Sequence, residues 1–371
     1  MRAVHVALPL IFTAFFTTAS AAPPGARLIE TGPGQARWMG QEEIRALSAA
    51  RHAEGSCPGF MDITDYQAPL KVGPVIVPFE AFAGPTQGQT VEPLLAEISA
   101  DRIHATIQDL SSFSTRHYST DLGLKAATLI RDRFVEYAGH RDDITVTFFN
   151  HSWKQPSVIA RIPGRGPHAS EIVVIGGHED SINHQSWNSD PDAKAPGADD
   201  NASGTATVLE IFRVLAQSDY RPDRTLEFMT YAAEEVGLWG SQAISRQYRQ
   251  QNAQVVGVMQ FDMDMFPNEQ QQMTFITDNV SPDLTKFTEQ LVDTYVKSPW
   301  TEDKCGYGCS DHASWTKAGY ASVMPFEAPM EEMNHNLHTP QDTLDILNQT
   351  HGAKFARLGV AFAVELGTIQ P

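Results

Sequence analysis

Apolar and polar positions alternate with two different periods from about residue 90 onward. Short apolar runs predict strands over residues 144–150, 157–161, 172–175, 225–233, 255–261, 273–277 and 321–325. Apolar residues at helical spacing predict helices over residues 91–110, 122–137, 203–217, 241–250, 282–296, 311–317 and 352–367. Strands interleaved with helices predict an α/β fold, in which a mostly parallel, mixed β-sheet is sandwiched by helices.

The N-terminus has the pattern of a secretory signal peptide. Arg2 supplies a positive charge, residues 7–16 are apolar, and residues 19–21 form a small-residue cleavage site. We therefore expect residues 1–21 to be removed and the protein to be secreted or periplasmic. No uninterrupted apolar stretch reaches about 18 residues, so we expect no membrane span.

Residues 22–89 have a different texture from the rest of the chain. They are rich in proline, with one helical pattern over residues 41–51 and a short apolar run over residues 72–77 that fits a strand. We interpret residues 22–89 as a pro-segment or an accessory N-terminal region. The main domain then spans residues 90–371.

Composition narrows the classes of partner. The chain has 371 residues, with 27 basic and 45 acidic side chains and a net charge of −18. This charge argues against nucleic acid, whose phosphates require basic residues. Export permits disulfides. Cys305 and Cys309 flank a Gly-Tyr-Gly turn that suits a short bridge, which leaves Cys57 unpaired.

Five polar clusters lie where strands end or helices begin, which is where open α/β sheets gather functional groups. They are His178 with Asp180, Asp199 with Asp200, Glu234 with Glu235, Asp262, and His338. Each cluster alone has an ordinary interpretation. Acidic residues before a helix commonly cap it, and a loop histidine often lies on the surface.

Considered together, the clusters supply the ligands of a metal site. Five nitrogen and oxygen ligands, one of them bridging, would form two zinc sites with three protein ligands each. The candidate ligands are His178, Asp200, Glu235, Asp262 and His338. Glu234 remains to take a proton from water and pass it to a leaving amine. Asp180 could hold the second ring nitrogen of His178.

Six motifs occur in one order: Gly-Gly-His-Glu-Asp-Ser, Pro-Gly-Ala-Asp-Asp-Asn-Ala-Ser-Gly, Tyr-Ala-Ala-Glu-Glu-Val-Gly-Leu-Trp-Gly-Ser, Gln-Phe-Asp-Met, Cys-Gly-Tyr-Gly-Cys-Ser-Asp-His-Ala-Ser-Trp and Leu-His-Thr-Pro-Gln-Asp-Thr. This ordered set resembles the zinc-dependent aminopeptidases of peptidase family M28, and is nearest to the secreted bacterial leucyl aminopeptidases. The resemblance covers residues 90–371 and implies the zinc-dependent exopeptidase (phosphorylase/hydrolase-like) fold.

The resemblance also implies a role for each matched residue. It places His178 and Asp262 at one zinc ion and Glu235 and His338 at the other. Asp200 would bridge both ions, because the family's ligand directly precedes the Asn-Ala-Ser-Gly run.

The catalytic groups and the specificity pocket follow from the same match. Asp180 would orient His178, and Glu234 would be the general base and acid. Tyr307, in the loop between the two cysteines, would stabilise the oxyanion. The pocket for the first side chain would be lined by Met263, Ile276, Phe326, Met330, Met333 and Leu337.

These implications predict a secreted, monomeric di-zinc aminopeptidase that removes N-terminal, apolar, leucine-type residues. Its substrates would be peptides or small proteins with a free N-terminus, attacked by a zinc-activated bridging water.

Three alternative functions remain. A carboxypeptidase should place a basic residue at the substrate carboxylate, and none of the pocket positions is basic. A glutaminyl cyclase should need one zinc ion, and a non-catalytic peptide-binding module should not hydrolyse an aminoacyl anilide.

Overall fold

The computed structural model describes residues 22–32, 34–53, 59–66, 84–186 and 189–369. The predicted signal peptide, the strand predicted over residues 72–77 and Cys57 lie outside the described residues. No helix in these ranges combines the length and the apolar character needed to cross a bilayer.

The described part of the N-terminal region forms a small sheet and a helix, where the sequence predicted only the helix. A three-stranded antiparallel sheet and one helix comprise β1 (Arg27–Glu30), β2 (Ala36–Met39), α1 (Gln41–Ala53) and β3 (Met61–Asp62). Strands β1 and β2 have only four residues each, and their apolar residues do not alternate with polar ones, so no strand pattern was visible in the sequence.

The main domain contains nine further strands among the described residues. They are β4 (Thr145–Phe149), β5 (Ser157–Ile162), β6 (Glu171–His178), β7 (Thr225–Tyr231), β8 (Gln254–Gln260), β9 (Met273–Ile276), β10 (Trp300–Asp303), β11 (Ser322–Val323) and β12 (Pro325–Phe326). Six of them form one sheet in the order β11-β8-β6-β7-β5-β4. Strands β11, β8, β6 and β7 pair in parallel, whereas β5 pairs antiparallel with both β7 and β4, which confirms the mostly parallel, mixed sheet.

Helices cover both faces of this sheet. They are α2 (Gly88–Leu95), α3 (Ala100–Ser111), α4 (Asp121–Ala138), α5 (Gly204–Gln217), α6 (Trp239–Gln250), α7 (Pro282–Leu291), α8 (His312–Lys317) and α9 (Gln349–Gly367). In β6, Val173 and Ile175 pack into the core shared with α5 and α9. Ile172 and Val174 point to the other face, where α6 and α8 contribute Ile244 and Trp315.

Several elements differ from the predictions. The strand predicted over residues 321–325 is two short strands, β11 and β12, which belong to different sheets. The helix predicted over residues 91–110 is two helices, because Ser99 caps the second by accepting a hydrogen bond from the backbone N–H of Arg102. Strand β6 continues through its two glycines to His178, paired with β7. The helix predicted over residues 282–296 has regular α geometry only to Leu291 and continues as a wider turn.

Candidate active site

Strand β6 delivers His178 to the carboxyl edge of the parallel sheet. The two preceding residues are glycines because their surroundings leave no room for a side chain. A Cβ atom at Gly176 would lie 2.5 Å from Cε2 of Tyr231, and one at Gly177 would lie 3.0 Å from the carbonyl oxygen of Phe261. This close packing fixes the position of the backbone from which the His178 side chain extends.

Asp200 lies in the irregular turn Ala198–Ser203, which leads into α5. The buried carboxylate of Asp342 accepts hydrogen bonds from the backbone N–H groups of Asp199 and Asp200. The side-chain amide of Asn201 donates to the carbonyl oxygen of Phe261 at 2.9 Å. The turn is therefore held at both ends, and the Asp200 carboxylate has a fixed direction.

Glu234 and Glu235 follow β7, and Asp262 follows β8, so these acids come to the same sheet edge as His178. The backbone N–H groups of Glu234 and Glu235 both donate to the carboxylate of Asp180, at 3.0 and 3.3 Å. Oδ1 of Asp180 also lies 3.5 Å from Nδ1 of His178. One carboxylate thus contacts two of the predicted clusters.

The structure brings all five candidate ligands together. Oδ1 of Asp200 lies 3.0 Å from Nε2 of His178, and its Oδ2 lies 2.7 Å from Nε2 of His338. Nε2 of His338 is also 2.7 Å from Oε2 of Glu235, and Nε2 of His178 is 3.4 Å from Oδ1 of Asp262. The neighbouring Asp199 does not join this set, because its carboxylate accepts from the amide of Asn334.

The buried carboxylates of the cluster lie close to one another, and a bound cation would offset their negative charge. Burial and the adjacent Asp200 raise the pKa of Glu235 to about 8. Burial also raises the pKa of Glu234. Both ring nitrogens of His178 are buried without a well-aligned hydrogen-bond partner among the described residues. Ligand atoms of His178, Asp200 and Glu235 lie within 4.8 Å of one another, so these residues could hold a metal ion. The donor set of imidazoles and carboxylates fits zinc.

The sequence of this chain matches the model of Peptidase family M28 over residues 157–363, more than half of its length. The chain belongs to peptidase family M28. A probable leucine aminopeptidase of Arthroderma otae is 39% identical over 349 residues, which cover 92% of this chain and 93% of that protein. These matches confirm the predicted family, and this M28 peptidase is a metallo-aminopeptidase that hydrolyses peptide bonds.

Solved structures of aminopeptidases share the fold. The LapA aminopeptidase of Legionella pneumophila has a TM-score of 0.81 and 28% identity, and the match covers 95% of each chain. BSAP, a zinc aminopeptidase of Bacillus subtilis, has a TM-score of 0.61 and 16% identity, covering 74% of this chain and 97% of its own. The second match shows the fold alone, which is the predicted one.

The loop after β10 carries the predicted cysteine pair and Tyr307. Cys305 and Cys309 form a disulfide, as predicted. Tyr307, between them, borders a cavity of about 20 Å³ together with Glu234 and Glu235.

The six predicted pocket residues all belong to one apolar cluster, which also contains Tyr307. A second cavity of about 20 Å³ beside Asp262 is lined by Met263, Phe326, Met330 and Met333. Ile276 and Leu337 pack in the same cluster without lining this cavity.

The N-terminal region packs against the site. Phe60 lines the cavity that contains Glu234 and Tyr307. The backbone of Asp62 packs against Gly237, where φ is +113° and a Cβ atom would lie 2.6 Å from the Asp62 nitrogen. Nε1 of Trp239 donates to the Asp62 carboxylate at 3.1 Å. The cavity beside Tyr307 and the cavity beside Asp262 each have room for little more than one water molecule.

Arg116 is a further buried residue of this M28 peptidase that no sequence signal indicated. Its guanidinium donates to the backbone carbonyl oxygens of Glu179 at 3.0 Å and of Gly197 at 2.9 Å, and also to that of Pro196. These carbonyls flank Asp180 and the turn that carries Asp200. A buried arginine that binds only backbone has no distinctive spacing, so only the structure reveals it.

Proposed function

We propose that this M28 peptidase is a di-zinc aminopeptidase that removes apolar, leucine-type residues from the N-termini of peptides or small proteins. The observation that carries the proposal is the placement of Asp200, whose two oxygens face Nε2 of His178 and Nε2 of His338. A carboxylate between two imidazoles can bind two metal ions at once. The relative from Arthroderma otae, named a probable leucine aminopeptidase, supports the side-chain preference.

His178 and Asp262 would hold one zinc ion, and Glu235 and His338 the other. Asp200 would bind both. Two zinc ions in such a site polarise the carbonyl of the scissile bond and make water a nucleophile near neutral pH. The remaining chemistry falls to the side chains around the ligands.

Glu234 is the proposed general base and acid. Its Oε2 lies 4.0 Å from Nε2 of His178, so the carboxylate borders the ligand set without belonging to it. The raised pKa of this buried group favours accepting a proton. Glu234 takes the proton from the attacking water and delivers it to the leaving amine as the peptide bond breaks.

The substrate is positioned by charge at one end and by apolar packing at the other. The acidic residues attract its free ammonium group, while the methionine-lined cavity beside Asp262 receives the first side chain. Methionine side chains adapt their shape, which suits a pocket that must widen for leucine. The hydroxyl of Tyr307 donates to the carbonyl oxygen as charge develops there.

We also propose that residues 22–89 are a pro-segment and that the protein is exported as a monomer, with residues 1–21 as its signal peptide. The small cavity lined by both Phe60 and Tyr307 supports a segment that must leave before substrate enters.

The test is hydrolysis of leucine p-nitroanilide by the processed protein, first chelated and then titrated with zinc. We expect activity to disappear with the metal and to return at about two zinc ions per chain. Full recovery at one zinc ion would contradict the bridged pair and favour a cyclase-like site. Absence of activity at every zinc level would contradict the aminopeptidase assignment of these residues.

A further inference from the structure

The N-terminal region contacts a candidate zinc ligand directly. His52, in the last turn of α1, has its Nε2 atom 2.7 Å from Nδ1 of His338. The ring of His52 stacks on that of His184, with centroids 4.3 Å apart and planes inclined by 17°. The backbone N–H of His184 in turn donates to the carbonyl oxygen of His338 at 3.0 Å. His52 is therefore firmly placed against the nitrogen of His338 that faces away from the ligand set.

The direction of this hydrogen bond follows from the other nitrogen of His52. Its Nδ1 lies 2.8 Å from the carbonyl oxygen of Ser48, which can only accept, so Nδ1 of His52 carries a proton. Among the described residues, the polar groups in contact with the ring are this carbonyl and two imidazoles, none of which carries the negative charge that would favour a second proton. Nε2 of His52 is then the acceptor, and Nδ1–H of His338 donates to it.

A histidine that donates through Nδ1 presents Nε2 as its metal-binding atom. Nε2 of His338 is the atom that lies 2.7 Å from the carboxylates of Asp200 and Glu235. Partners on the second nitrogen fix the tautomer and the orientation of ligating histidines.

The two candidate zinc sites differ in the origin of this partner. The second nitrogen of His178 faces Asp180, which belongs to the main domain. The second nitrogen of His338 faces His52, which belongs to the N-terminal region. One site is thus supported from within the main domain, and the other is supported by the segment that covers it.

We propose that His52 is a positioning residue for His338, so that the N-terminal region assembles the Glu235/His338 zinc site as well as covering it. The inference rests on the proposed di-zinc function. Because linkage is reciprocal, zinc at this site also strengthens the docking of the N-terminal region. Removal of the N-terminal region should therefore leave the Glu235/His338 site with the lower zinc affinity of the two sites.

The test measures zinc affinity of the full chain by competition with a chromophoric chelator, using two complementary substitutions. H52Q keeps a hydrogen-bond acceptor and loses the ring, whereas H52F keeps the stacked ring and loses the acceptor. We expect H52F to weaken one of the two bound zinc ions about tenfold or more, and H52Q to bind both nearly as wild type does. R45Q, on the same helix and lining a surface cavity together with His52, should change neither affinity.

Other outcomes overturn the proposal in separate ways. Wild-type affinity in H52F, or a larger loss in H52Q than in H52F, would show that His52 acts only through packing. If H52F does not fold, H52A takes its place, with the same expectation. A wild-type chain that binds fewer than two zinc ions would instead contradict the di-zinc function on which the inference rests.

Discussion

Oδ1 of Asp180 accepts a hydrogen bond from the backbone N–H of Glu234, with 3.0 Å between the two atoms. The sequence assigned Asp180 only to the orientation of His178. The structure gives it a second task, because both oxygens of this buried carboxylate bind the turn that carries Glu234 and Glu235. Asp180 therefore determines where the proposed base lies relative to the candidate ligands.

Substitution of Asp180 should consequently affect both metal binding and turnover. We expect D180A to weaken one zinc ion about 10- to 100-fold, the range typical of lost partners of ligating histidines. Turnover at saturating zinc should also fall, because the Glu234 turn loses its acceptor. Zinc titration combined with steady-state kinetics separates the two effects. D121N, at an exposed acid that pairs with Lys154, serves as the control. Unchanged turnover of zinc-saturated D180A would contradict the second task.

Glu234 itself should be needed for the chemical step and not for metal binding. We expect E234Q to lower kcat about 10²- to 10⁴-fold, the usual contribution of general acid–base catalysis, with a small change in KM. Zinc content should remain that of the wild type, because Oε2 of Glu234 stands 4.0 Å from the nearest ligand nitrogen. The exposed E136Q variant is the control. Turnover within several-fold of wild type would remove Glu234 from the mechanism.

Two adjacent aspartates allow a test of the bridge. We expect D200N to lose zinc from both sites after dialysis, because Asp200 faces both imidazoles. D199N should retain its zinc, since Asp199 contacts Asn334 and burial raises the pKa of its carboxyl, which makes the amide a close mimic. Metal analysis of the two variants gives the comparison. Equal zinc content in both would contradict the bridging role.

The parts of the molecule that the sequence predicted are those encoded by local pattern. Short apolar runs predicted β6 and its neighbours, and strand ends marked His178, Glu235 and Asp262. Contacts between distant segments left no such pattern. His52 and His338 are 286 positions apart, and neither lies in a motif that would suggest the other. The strands of the N-terminal region were missed because they are only two to four residues long, too short for an alternation of apolar and polar residues to show.

Phe60 offers a test of the proposed pro-segment. In the full chain, F60A should raise hydrolysis of leucine p-nitroanilide several-fold, because this ring lines the cavity between Glu234 and Tyr307. M39A is the matched control, since Met39 packs in the same apolar cluster as Phe60 without lining that cavity. An equal gain in both variants would indicate general loosening of the region. No gain in F60A would contradict a blocking role for this side chain.

Arg116 should stabilise the fold and the site together. Its fully buried guanidinium binds the backbone beside Asp180 and the turn that carries Asp200, through the carbonyl oxygens of Glu179 and Gly197. Lysine keeps the charge but lacks the planar array of donors, so R116K leaves buried carbonyls without partners. We expect a loss of about 3 kcal/mol in the free energy of unfolding, measured by chemical denaturation of the zinc-free chain.

The control for R116K is R131K, because Arg131 pairs with Asp132 at the surface. Surface substitutions of this kind change stability by about 0.5 kcal/mol or less. Zinc affinity adds a second measurement, since both carbonyls adjoin residues of the candidate metal site. R116K should bind zinc more weakly than R131K even at temperatures where both variants are fully folded. Equal stability and equal zinc affinity in the two variants would show that the buried hydrogen bonds of Arg116 are replaceable.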